Sequence, residues 1–420
     1  MNGTVSALDL ASAHRSFGHF DGLWPYALAL AIFFLVRGLY LRRPLVRSHI
    51  IAAVALLIIA RLAYDGDRGV IGFVALALAG AALVMPKASR PTPEDRQRVF
   101  ALVDQTKNDA LAPFVMHSAK SFFFNAEGTA TLGYRARLGI AAVAGDPVGD
   151  AYDFPALIEE FIAFTQENGW RIAVLAASES CVPLWQRHHL RAIPIGRDVV
   201  IDIESFTLTG RRFRNLRQGV QRTRNVGVTT EVIAEAELDR ETRAELMAIV
   251  DVAHGGHQNR GFSMILDHLL DGRHPGVLIA MARDNHGTAV AFHRYASADG
   301  GRMLTLDVPW RLPEAPNGVD ERLSVDMVAY GREHGGEKVS LAFAAFPEIF
   351  DDNDRTLGRK LVYRATHFLD PLIKIESLYR FVRKFHALDG QRFAVIKLRQ
   401  IGWVLFAFLL LEFVPHRHRE

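Results

Sequence analysis

Three apolar blocks near the N terminus constrain this chain more than any other feature. They cover residues 24–41, 49–64 and 69–85, each near the ~17–25 residues that a helix needs to cross a bilayer. Arg37 and Arg61 lie near block ends, where a long side chain can snorkel to the headgroups. Trp24, Tyr26, Tyr40 and Tyr64 sit at the edges, as interfacial aromatics do. Two further blocks after the first argue against a cleaved secretory signal, and no polar face alternates along any block, which argues against a buried hairpin of a soluble protein. The expectation is a membrane region over 1–86 with three transmembrane helices. The first loop carries Arg42, Arg43 and Arg47 without an acid, whereas the second balances Arg61 and Arg68 with Asp65 and Asp67. Positive charge marks the cytoplasmic side, so a multi-pass cell-membrane protein with its remaining domain in the cytoplasm is expected.

From Glu94 the pattern becomes mixed α/β. A helix is predicted over 94–109, then strands over 122–124, 129–134 and 138–144, the turn GDPVG (145–149), a helix over 153–168 and a strand over 171–176. A similar order returns with a helix near 240–253, strands over 277–282, 288–295 and 302–307, a helix over 319–334 and a strand over 338–343. Two sequential α/β units follow, at 94–205 and 206–400. With 50% hydrophobic and 23% charged residues in 420, the chain can fill both cores. The single cysteine, Cys181, excludes a disulfide framework and thiolate zinc clusters, and the 17 histidines are too scattered to predict a metal site. The apolar tail within 401–420 spans only residues 401–414, too short to cross, and either lies in the interface or packs on the domain.

One segment is strongly basic. GRRFRNLRQGVQRTRNVG (210–227) holds Arg211, Arg212, Arg214, Arg217, Arg222 and Arg224 with no acid among them. If helical, it places all but Arg212 within an arc of roughly 160°. Arginine forks hold phosphate, and both RNA and anionic lipid headgroups qualify as the partner. No P-loop, G-x-G-x-x-G or G-x-S-x-G is present, which disfavours NTPase, dinucleotide and serine-hydrolase chemistry. The nearest approaches to an acyl-CoA pyrophosphate loop, 224–229 and 258–263, end in a hydroxyl residue where a small one is needed.

Eight segments in one order carry a resemblance: Lys120 with Phe122 to Phe124, GDPVG (145–149), VIDIESFTLTGRRFRNLRQ (200–218), GFS (261–263), Asp307, APNG (315–318), VSLAFAAF (339–346) and IESLYRFVRKF (375–385). Over 114–396 the chain resembles the soluble domain of the aminoacylphosphatidylglycerol synthases, the multiple peptide resistance factor family. The resemblance implies tandem GNAT-like folds diverted from acyl-CoA. It also implies transfer of an aminoacyl group from aminoacyl-tRNA to a lipid hydroxyl, typically on phosphatidylglycerol, without a cofactor. Asp307, closing MLTLD, resembles the family's functional aspartate, and Arg380 and Lys384 resemble cationic positions near the aminoacyl site. Lys120, Asn317 and the six arginines are the implied substrate-binding residues. The chain departs from the family's Asp-x-x-Arg, because Trp310 stands three after Asp307 and Arg311 one further on. Arg311 is then the candidate replacement cation. A GNAT-type acyl-CoA N-acyltransferase and an inactive membrane-bound RNA- or lipid-binding module are the alternatives.

Overall fold

The computed structural model describes residues 24–40, 47–65, 68–83, 91–254, 264–345, 375–402 and 404. GFS (261–263) and, apart from Ile401, Gly402 and Val404, the tail over 401–420 lie outside the described residues. The N-terminal unit contains helices α1 (Trp24–Tyr40), α2 (Arg47–Asp65) and α3 (Gly69–Leu83). At 1.5 Å per residue these are about 25, 28 and 22 Å long, against a hydrocarbon core of about 30 Å. Among the described residues no helix is long and apolar enough to cross a membrane, so the three expected crossings are not observed. Arg47, Arg61 and Asp65 all fall within α2, which leaves its longest uncharged run short. α3 meets α1 at Gly80, where a Cβ would stand 2.7 Å from the Ala31 carbonyl oxygen. Large apolar side chains, including Tyr26, Phe33, Ile51 and Leu62, face outward from this unit.

The second unit opens with α4 (Pro93–Gln105), started by a capping box. Thr92 accepts from the Asp95 N–H, Asp95 accepts from the Thr92 N–H, and Pro93 supplies a first-turn residue with no donor to satisfy. The elements that follow are β1 (Ser121–Phe124), β2 (Ala130–Arg137), β3 (Ile140–Ala144), β4 (Val148–Gly149), α5 (Phe154–Glu167), β5 (Arg171–Ser178), α6 (Val182–Gln186) and β6 (Arg191–Asp202). Then come α7 (Arg214–Asn225), β7 (Thr229–Ala234), α8 (Arg240–His254), β8 (Leu278–Arg283), β9 (Ala289–Ala298), β10 (Met303–Arg311), α9 (Val319–Glu333), β11 (Lys338–Ala345), α10 (Ile375–Val382) and β12 (Leu388–Ile396).

The twelve strands among the described residues belong to one sheet, ordered β1-β2-β3-β5-β12-β6-β11-β10-β9-β8-β7, with β4 on β2. Each half is an antiparallel meander that ends in one parallel crossover: β3 to β5 through α5, and β10 to β11 through α9. The last strands are exchanged. β6, closing the first half, pairs with β11 of the second, while β12, closing the second, lies between β5 and β6. The division at 205/206 therefore does not separate two sheets. Packing is on both faces, as a mixed α/β domain requires. On one face α7, α9 and α10 bury Leu216, Val319, Leu323 and Val382 against Ile201, Leu306 and Val339. On the other, α4 contributes Val99 and Val103, and α8 contributes Leu246 and Ile249.

Candidate active site

β9 reads AVAFHRYASA and is buried along almost its whole length. Adjacent strand residues point to opposite faces, so His293 and Arg294 organise two separate polar groups.

On the α9 face, His293 Nε2 lies 3.2 Å from Asp320 Oδ1, and its Nδ1 lies 3.4 Å from the Tyr295 hydroxyl. Phe381 covers the imidazole edge-on at 6.2 Å between ring centroids. Asp320 and Glu321 stand in the first turn of α9, where the helix dipole favours carboxylates. The APNG segment sets this turn. Its Gly318 is left-handed (φ 104°), and a Cβ there would stand 2.5 Å from the Gly219 carbonyl oxygen of α7. Glycine at 318 thus lets the basic helix pass against the start of α9, and α7 runs unbroken through Gly219. Arg311, the last residue of β10, brings its Nε to 3.6 Å from Asp320 Oδ2, and the Lys384 ammonium pairs with Glu321. Burial works against ionised Asp320, but the His293 hydrogen bond and the charges of His293, Arg311 and Lys384 hold it below the usual carboxylate range. The cations are the accessible members: Arg311 is 46% and Lys384 43% exposed, against 23% for Asp320 and 10% for Glu321.

The opposite face is closed. Arg294 is wholly buried, its Nε 2.5 Å from Glu235 Oε2 and its Nη1 3.0 Å from Asp307 Oδ2. It also donates to the Asp267 and His268 carbonyls. Asp307 follows Met303 and Thr305 onto the Arg294 face of β10 by strand alternation, and the ladder slips only after Leu306, before Val308. Its other oxygen accepts the Leu266 N–H at 2.8 Å. Burial pushes the Asp307 carboxyl up to about 6, although Arg294 and the Leu266 N–H pull against that rise. Both Asp307 oxygens are therefore taken, and the side chain has no exposed surface. Trp310 packs with the apolar cluster under α8, on this same closed face.

The remaining candidates divide. Arg211, Arg212, Arg214, Arg217, Arg222 and Arg224 are all exposed, with Leu216, Val220 and Thr223 forming the buried face of α7. Arg211 and Arg212 precede the helix. Two of the six also serve the backbone, since Arg212 donates to the His386 carbonyl and Arg217 to the carbonyls of Leu208 and Gly210. Asn317 and Arg380 are exposed. Lys120 is buried in the first half, its Nζ donating to the Phe114 carbonyl at 2.8 Å, and is not part of this site. The structure thus joins Arg311 and Lys384 to His293, Asp320 and Glu321, and sets Asp307 apart from them. Sequence reasoning missed His293, Arg294, Asp320, Glu321 and Glu235. A His-Arg pair inside an apolar strand was the available signal, because such groups are buried only when partnered. Among the described residues no group of three or more His, Cys, Asp or Glu could hold a metal ion.

This arrangement can receive a cation on Asp320 and Glu321 and an anion or polarised oxygen on Arg311 and Lys384, beside a basic helix. Relatives bear on what it does. L-PGS of Bacillus licheniformis has the same fold over 79% of this chain and 99% of its own, with a TM-score of 0.65 and 21% identity. An MprF-like domain protein of Mycobacterium tuberculosis is 47% identical over 400 residues, covering 94% of this chain and 83% of that protein. A lysylphosphatidylglycerol biosynthesis bifunctional protein, LysX, of a Mycobacterium species is 31% identical over 77% of this chain, which spans only 30% of that longer protein. The family model described as phosphatidylglycerol lysyltransferase, C-terminal, matches residues 100–396. A match that covers most of the chain, together with the mycobacterial similarity along nearly all of it, makes this protein a member of the phosphatidylglycerol lysyltransferase C-terminal family.

Proposed function

We propose that the chain transfers an aminoacyl group from aminoacyl-tRNA to the hydroxyl of a membrane lipid such as phosphatidylglycerol. The observation that carries this reading is the pairing of Asp320 and Glu321 with the accessible cations Arg311 and Lys384, next to α7. Asp320 and Glu321 receive the aminoacyl ammonium. The lipid hydroxyl oxygen attacks the ester carbonyl carbon, a new C–O bond forms, and negative charge builds on the carbonyl oxygen under Arg311 and Lys384. The bond to the tRNA ribose oxygen then breaks, and that oxygen takes the proton given up by the lipid hydroxyl. His293 acts through Asp320, fixing its carboxylate. The exposed arginines before and along α7 hold tRNA phosphates. The outward apolar surface of α1 to α3 supports attachment to a membrane, with the catalytic domain on the cytoplasmic side where charged tRNA is found.

Lipids extracted from cells expressing the chain and fed labelled amino acids test the reading by thin-layer separation. A labelled, ninhydrin-positive lipid is the expected product. A product that needs acyl-CoA would assign the chain to N-acyltransfer, and no product with a folded protein would leave a binding module. Arg224→Ala should lower the slope of tRNA affinity against salt by roughly one or less.

A further inference from the structure

The end of the sheet where β2 turns into β3 collects charge and apolar surface that the reaction does not use. Arg137 pairs in register with Ile140, Ile140 with Arg171, Ala173 with Ile396, and Ile396 with Arg191. Five neighbouring strands, at about 4.8 Å spacing, therefore form a rim about 20 Å wide. Arg171 and Arg191 are exposed on it, and Lys397 and Arg399 follow β12 directly, also exposed. Arg135 adds a further cation, and burial together with the nearby Arg137 charge brings it down to about 10. The segments 135–140, 187–191 and 397–402 contain no Asp or Glu. Between these cations stand Leu138, 40% exposed at the hairpin tip, Leu398 at 54% and Ile401 at 50%. In sequence, Ile401 opens the apolar run 401–414.

We propose that this rim docks on an anionic lipid bilayer, its arginines and lysine meeting headgroup phosphates while Leu138, Leu398 and Ile401 enter the acyl boundary. Each cation near an anionic surface adds to the attraction, and interleaved apolar side chains add a term that nucleic acid would not reward. RNA binding would use the cations and leave the leucines idle. The proposal takes its membrane from the lipid-acceptor reading and its geometry from the rim alone.

Site-specific labels test it in the full chain. The sole native cysteine, Cys181, is buried, so Leu138→Cys can carry an environment-sensitive fluorophore selectively, with the unsubstituted chain as the labelling blank. Tyr152→Cys is the control, because Tyr152 is 89% exposed close to Gly149, which pairs with Ala130 at the other end of β2. The labelled chain is reconstituted in phosphatidylcholine bilayers with or without phosphatidylglycerol. The Leu138 label should brighten and shift to the blue only with the anionic lipid, and revert in roughly 1 M salt, where screening acts within about 3 Å. The Tyr152 label should stay in water throughout. The triple variant Arg171→Glu, Arg191→Glu, Lys397→Glu should lose the shift. Equal behaviour of the two labels overturns the proposal, whether or not the triple variant folds. A response to tRNA without a response to lipid also overturns it and makes the rim an RNA surface. The labels need no turnover, so docking without aminoacyl-lipid would refute the transferase reading alone, and aminoacyl-lipid without docking the rim alone.

Discussion

The two halves of the α/β unit bury an arginine among carboxylates in corresponding places, but in the second the crossover helix on the opposite face of the sheet opens with Asp320 and Glu321. In the first half Arg392 holds Asp109, Asp146 and Asp198 at 2.7, 3.3 and 2.7 Å. In the second, Arg294 holds Glu235 and Asp307. Asp146 follows the strand that leads into the α5 crossover, as Asp307 stands on the strand that leads into the α9 crossover. Burial raises both carboxyls. The difference lies in where the arginine comes from. Arg294 belongs to its own half, whereas Arg392 arrives on the exchanged strand β12 and links that strand to the first half. The crossover helix also differs, because α9 begins with Asp320 and Glu321 and α5 has no acid in its first turn. A buried arginine–carboxylate cluster therefore marks a construction device shared by both halves, and the carboxylates at the start of α9 mark the half to which we assign the proposed chemistry.

Removing the arginines tests the construction side of this contrast. Arg392→Met leaves three buried carboxylates without their cation and loosens β12 from both neighbours. Loss of one partner from a buried pair costs about 3–5 kcal/mol, and this variant should meet or exceed that range, read as a fall in the unfolding midpoint and in soluble yield. Arg294→Met should cost about 3–5 kcal/mol and no more, because one half keeps its exchanged strand in place. If Arg294→Met proved the more damaging of the two, β12 would not be the strand that depends on its arginine.

Much of this molecule was readable from local pattern. The α/β order, the crossover helix near 319–334 and the basic helix came from periodicity and charge, and APNG stands where α9 begins. Strand exchange was not readable, because β12 finds β5 across roughly two hundred residues and nothing in LDGQRFAVI distinguishes that neighbour from another. The site was only half readable for a related reason. Asp307 reads in sequence as the end of a strand, but β10 runs on to Arg311 and alternation sets Asp307 on the closed face, where Arg294 holds it. Asp320 and Glu321 look in sequence like ordinary first-turn acids; only folding brings Arg311 and Lys384 to them.

The chemical side of the contrast is tested by Asp320→Asn, which keeps the shape of the side chain and removes its charge. Losing a charge-assisted contact made in the transition state costs about 1.5–3 kcal/mol, or roughly 10- to 150-fold in rate. Labelled aminoacyl-lipid formation should fall by that factor while the unfolding midpoint moves little, since Asp320 is partly exposed. A large loss of stability with unchanged rate per folded molecule would place Asp320 with the structural carboxylates.

The smallest effect belongs to the pH dependence of Asp307. Its carboxyl is raised to about 6 in the folded chain, against about 3.9 for an unperturbed aspartate. Between those values the folded state binds more protons than the unfolded one, so stability is greatest below about pH 4 and declines as pH rises through about 6. Asp307→Asn resembles the protonated form at every pH and should remove this slope. The difference between wild type and variant, measured by urea unfolding across pH 4 to 7, should change by about 1–2 kcal/mol. Asp198, also raised to about 6, supplies the matching experiment in the first half, and Asp198→Asn should flatten the same window. If Asp307→Asn left the slope intact and instead abolished lipid aminoacylation at constant stability, Asp307 would be reached by substrate, and its enclosure by Arg294 would describe only the free protein.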